Sequence, residues 1–102
     1  MVIAKYTTPG ITYKPSMVEV ANIDKIFLVI KQNGCAVIEK DISDAIVAED
    51  MFVWKFTQEE SGKLCEKLPA TVQIDYMSGA DRYTTNEISC AVAKSAIPEV
   101  IE

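Results

Sequence analysis

A chain of 102 residues suffices for one domain and falls short of two, so a single core spanning residues 1–102 is expected. Its 49% hydrophobic and 25% charged residues match a folded globular chain and exclude disordered and fibrous classes. A net charge of −5, with Arg82 the only arginine and the basic residues scattered, argues against nucleic acid as a partner, because that affinity comes from Lys and Arg neutralising phosphates.

Residues 1–15 contain Pro9-Gly10 and Pro15, which permit only short extended pieces, around Val2 to Tyr6 and Ile11 to Tyr13. This segment reads as an N-terminal arm or an edge strand. It has no basic region leading into a long apolar stretch, so a cleaved secretion signal is not expected. Met17 to Val20 reads as a further strand. Ile23 to Lys31 is stronger, with Ile26, Leu28 and Ile30 on one face and Phe27 and Val29 on the other; two apolar faces place it centrally. Its run Ile26-Phe27-Leu28-Val29-Ile30 is the longest apolar stretch and is far below the ~18 to 20 residues that span a bilayer, so no membrane partner is expected.

Gln32-Asn33-Gly34 turns the chain into Cys35 to Lys40, a β-hairpin. Asn33-Gly34-Cys35 also has the form of the rare cysteine glycosylation sequon, which the turn reading displaces. Asp41 to Asp50 fits a short strand and a helical turn equally. Phe52, Trp54 and Phe56 then alternate with Met51, Val53 and Lys55, so one face carries three aromatic rings and belongs in a core. Thr57-Gln58-Glu59-Glu60 has the capping-box form and predicts a short helical turn over residues 57–64. Val72, Ile74 and Tyr76 mark a half-buried strand, with Gln73 pointing outwards to bond a sheet edge or a turn. Ser78 to Asp81 is a turn, Arg82 to Thr85 a short strand, Glu87 to Ala93 the last strand, and Ile97 to Ile101 an apolar tail. The pattern predicts an all-β fold, an antiparallel immunoglobulin-like β-sandwich of about seven strands.

Histidine is absent, which removes Ser-His and Cys-His nucleophile pairs and the commonest metal ligand. The four glycines are isolated, so no phosphate-binding loop is present. Asp41 with Asp44, Glu49 with Asp50, Glu59 with Glu60, and Asp75 with Asp81 match no calcium-loop spacing and read as solvated surface. Cys35, Cys65 and Cys90 match no zinc pattern and read as reduced thiols. No catalytic, cofactor-binding or metal-ligating residue is assigned, and no cofactor is expected.

Four stretches carry a resemblance: Phe56 to Leu64, Ala70 to Tyr76, Ser78-Gly79 and Arg82 to Ile88. Together with Ile26 to Gly34 and the tail Ala93 to Ile101, "AxxxIPEVI", they are similar to small virion proteins encoded in bacteriophages and prophages of Gram-positive bacteria. That group has a Leu/Phe-Thr/Ser-Gln-Glu-Glu/Asp turn, an "xVQI" strand, a glycine turn and a Ser/Thr-Asn/Asp-x-Ile step into the last strand. The resemblance implies an immunoglobulin-like sandwich made in the bacterial cytoplasm, localised to the virion, and serving without enzymatic activity as a tail, baseplate or head-decoration component. Its partners would be other virion proteins or further copies of itself, as a homo-oligomer, through sheet edges or terminal segments. The alternative is a host-surface carbohydrate- or protein-binding module whose exposed Tyr13, Tyr76 or Tyr83 carries recognition.

Overall fold

The computed structural model describes residues Met1–Glu102. The register is set where β3 (Lys25–Gln32) pairs antiparallel with β7 (Ala70–Ser78) over eight residues. The inward pairs are Ile26 with Tyr76, Leu28 with Ile74, Ile30 with Val72 and Gln32 with Ala70, and all of these residues are buried. Slipping the register by one residue would turn every one of them to solvent. On its other side β3 forms a hairpin with β4 (Cys35–Lys40). Asn33 and Gly34 take φ 52° and 77°, the paired left-handed conformation that a two-residue hairpin turn demands and that Asn-Gly supplies at least cost. A bulge falls between Ile30 and Lys31.

The far edge of β7 is shared by two strands in succession. β8 (Asp81–Thr84) lies along Asp75–Ser78, and β9 (Ile88–Ala93) lies along Ala70–Val72. Thr85 spans the break between them: its N–H donates to Ile74 O at 2.9 Å, and its hydroxyl accepts from Ile74 N–H at 3.0 Å. Gln73 Nε2 donates to Thr85 O at 3.1 Å, so the outward glutamine does bond the neighbouring turn. β1 (Val2–Ala4) completes this six-stranded sheet alongside β9, in the order β1-β9-β7-β3-β4 with β8 off that path.

A second sheet of three strands, β2 (Gly10–Tyr13), β6 (Phe52–Lys55) and β5 (Ala45–Val47), packs across the first with β6 in the middle. Its inward side chains Ile11, Phe52 and Trp54 meet those of β3 and β7 in one core of 17 buried apolar residues. The Cα envelope is 17 Å in its thinnest direction, as two layers about 10 Å apart require. The chain is thus an all-β sandwich, and no helix is long and apolar enough to cross a membrane.

Several expectations are corrected. Nine strands form where about seven were expected, since three-residue strands leave little trace of alternation. β1 pairs with β9 parallel, so the sandwich is not wholly antiparallel. Met17 to Val20 is not a strand: Met17 is exposed, Val18 packs half-buried against the core, and Val20, starting a 3-10 turn over Val20–Asn22, is buried in it. β3 is flanked on both edges as a central strand should be, yet its outer face is open and Phe27 is 45% exposed. Residues 41–50 hold both alternatives in sequence, a 3-10 turn at Ile42–Asp44 and then β5.

Candidate interaction surface

Long polar side chains are spent holding the loops onto the sandwich. Gln32, buried at the end of β3, donates from Nε2 to Cys65 O (2.8 Å) and Leu68 O (3.1 Å) and accepts from Cys65 N–H (2.9 Å), which fixes the loop leading into β7. A buried amide satisfied three ways costs little to desolvate and is orienting. Ser61, buried in helix α1 (Gln58–Gly62), donates to Thr7 O at 2.7 Å and accepts from Thr7 N–H at 3.1 Å, anchoring the chain just past β1. Gln58 donates to Ile101 O at 3.0 Å and accepts from Ile101 N–H at 2.7 Å, holding the tail as a strand partner would.

Close packing enforces the Ser61–Thr7 dock. A Cβ on Gly62 would lie 2.5 Å from Tyr6 Cε1, so the ring of Tyr6, itself at φ 60°, needs a glycine there. None of the three clamps was legible in the sequence, because each joins residues more than thirty positions apart and a single Gln or Ser has no pattern.

The acidic pairs serve the fold locally. Thr57 and Glu60 form the expected capping box, with the Thr57 hydroxyl accepting from Glu60 N–H at 3.1 Å and the Glu60 carboxylate from Thr57 N–H at 2.9 Å. Glu60 does more than cap, because it also ion-pairs with Lys40 of β4. Burial pushes the Glu60 carboxyl up, but Lys40 and the Thr57 N–H outweigh it and hold it below its ordinary range. Asp41 and Asp44 form a second capping box around the 3-10 turn, and Asp41 O accepts from Trp54 Nε1 at 3.0 Å. Asp75 bonds Thr84 and Arg82 rather than Asp81; the Thr84 hydroxyl, against the effect of burial and with help from Arg82, holds its carboxyl low. No group of three His, Cys, Asp or Glu is placed to hold a metal ion.

The three tyrosines do come together, though not as an exposed platform. Tyr76 is 3% exposed and lies between half-buried Tyr13 and Tyr83, with ring centroids 6.0 Å and 5.1 Å away. Burial, aided by the neighbouring Tyr76 hydroxyl, pushes the Tyr13 phenol up to about 12. The expectation of an exposed Tyr76 fails because it falls on the inward phase of β7, opposite Ile26. Cys35, Cys65 and Cys90 are free thiols, exposed, half-buried and buried in turn.

Exposed apolar side chains lie on the edge strand β5 and at the tail, and singly at Val2, Met17, Phe27 and Ile88. Ile46 and Val47 of β5 are 58% and 54% exposed, and Ile97 and Ile101 are similarly open. Past the end of β5 an open groove of about 810 Å³ runs between Pro15–Ala21 and the Glu49-Asp50 turn, with Glu19, Glu49 and Asp50 as its charged lining. Fold and surface together define a small two-sheet sandwich with internally clamped loops and an apolar, acid-bordered edge. No protein-family model matches the chain, and no curated protein sequence matches it.

Proposed function

We propose that this protein is a non-enzymatic structural or adaptor component of a phage or prophage particle, of the tail, baseplate or head-decoration kind, made in the bacterial cytoplasm. The observation that carries the reading is the sorting of side chains. Gln32, Gln58, Ser61, Asp41 and Glu60 turn back to stiffen the domain, whereas Ile46, Val47, Ile97 and Ile101 are left exposed, where a building block meets its neighbours. The similarity of the Thr57 turn, the Gly79 turn and the "AxxxIPEVI" tail to small virion proteins supports the same reading. Recognition of a host surface through a tyrosine platform has less support, since its middle ring, Tyr76, is buried.

Mass spectrometry of density-gradient-purified particles from cells that carry the gene tests the proposal. The chain is expected in many copies per particle. Its absence from particles, with the chain retained in the cleared lysate, would overturn the reading.

A further inference from the structure

The sandwich has five strand edges without a partner in the chain, and four carry devices against pairing. β2 lies between Pro9 and Pro15, which cannot donate to a ladder. β4 faces a bulge and ends in Glu39-Lys40, and β8 opens on Asp81-Arg82. β1 is three residues long and runs into Lys5 and the left-handed Tyr6. Such bulges, charges, prolines and short lengths are how native sheets blunt their edges.

β5 is short and has carboxylates only beyond its ends, Asp44 and Glu49, with no device within the strand. Ala45-Ile46-Val47-Ala48 contains no charge, proline or bulge, and both of its large side chains are more than half exposed. Val47 is the more telling of the two. It sits opposite Phe52, on the face that turns towards the core, yet the sandwich leaves it open.

We propose that the free edge of β5 is a strand-addition site for an extended segment of a partner protein, one with apolar residues at alternate positions and Lys or Arg at its ends. The small sheet would thereby grow to four strands, with main-chain bonds supplying affinity and a guest side chain covering Val47. Charge selects this occupant over a second copy. Asp44 and Glu49 flank Ala45–Ala48, Asp41 and Asp50 lie just beyond, and no Lys or Arg occurs from Asp41 to Trp54. A two-fold antiparallel pairing centred between Ile46 and Val47 would set Asp44 of each copy opposite Glu49 of the other, and like charges directly opposed destabilise a sheet. A guest with basic ends would instead meet a carboxylate at each. Lys14, which pairs with Asp50 at 3.4 Å, is the one cation bonded to this set.

The inference deepens the adaptor reading and rests on it only for the partner being another particle component. Amide shifts of the isotope-labelled full chain, titrated with a peptide of alternating Val and Thr flanked by lysine pairs, test it. Saturable shifts are expected at Ala45–Ala48 and Glu49, with at least tenfold weaker binding of the same peptide flanked by glutamates. Val47→Lys should weaken binding about tenfold, and so should Ile46→Lys, whose solvent-facing side chain leaves folding intact; Val2→Lys on β1 should bind as the native chain does. Absence of shifts, shifts along another edge, equal binding of the acidic peptide, or peptide-free dimerisation through β5 would overturn the site. Because the particle assay reads the whole chain's location, either result can fail while the other stands.

Discussion

Trp54 joins three layers of cause: its phase on β6 faces it inwards, Phe52 stacks beside it at 5.9 Å, and its indole N–H is satisfied by Asp41 O. Trp54→Ala should therefore destabilise by about 3 to 5 kcal/mol, since neighbours fixed by two sheets cannot collapse into the space. A urea midpoint within error of the native value would contradict the packing. Tyr13 gives a pH signature. Its phenol holds its proton more tightly folded than unfolded, so the stability it contributes is fully present below pH 10, the ordinary tyrosine value, and is lost as pH rises towards about 12. Alkaline titration followed by ultraviolet absorbance should show one tyrosine ionising late, and Tyr13→Phe should remove that late step.

Helix α1 is only Gln58–Gly62, too short to persist by itself, so its caps and docks decide whether it forms. Thr57→Ala should cost about 1 kcal/mol, the value of one N-cap bond. Glu60→Gln should cost more than Thr57→Ala, because Glu60 also ties α1 to Lys40, whose ammonium lies 5.4 Å from the Phe56 ring centroid. The Glu60 contribution belongs to its charged form, whose pKa is depressed by folding; it is present above the usual carboxylate range and fades as pH falls through the lowered value. Thermal melts at neutral pH and near pH 3 separate the two: the gap between native and Glu60→Gln should narrow in acid, and the Thr57→Ala gap should persist. Equal gaps at both pH values would place Glu60's role in the cap alone.

Across the whole molecule, the N-terminal segment works as part of the core rather than as a free arm. β1 buries Ile3, receives Ala91 N–H at Met1 O, and sends Lys5 N–H to Ala93 O, and Thr7 closes the Ser61 clamp. Removing Met1 to Gly10 should lower the melting temperature by roughly 10 °C or more, since losing one buried isoleucine already costs about 2 to 5 kcal/mol. Thiol titration with a disulfide reagent gives a second readout. In the native chain Cys35 should react fast, Cys65 more slowly and Cys90 only on unfolding, because burial both shields the Cys90 thiol and pushes its pKa up. In the truncated chain Cys90, on β9 at the edge that β1 pairs with, should react without denaturant. An unchanged melt with Cys90 still silent would show that β1 does not protect the edge of β9.

Period and contiguous chemistry are legible in the amino-acid order. The Phe52-Trp54-Phe56 stripe, the Asn33-Gly34 turn, the Thr57 capping box and the strand carrying Val72, Ile74 and Tyr76 all depend on neighbours within a few positions, and all stand as read. Tertiary structure decided what depends on pairs distant in the chain: the parallel docking of β1, the Gln32, Gln58 and Ser61 clamps, the second partner of Glu60 and the burial of Tyr76. The surface follows the same division. Ala45-Ile46-Val47-Ala48 fitted strand and turn equally, and only the arrangement of two sheets made it an uncovered edge. Whether an apolar side chain is core or interface is set by what lies across from it, and no local pattern records that.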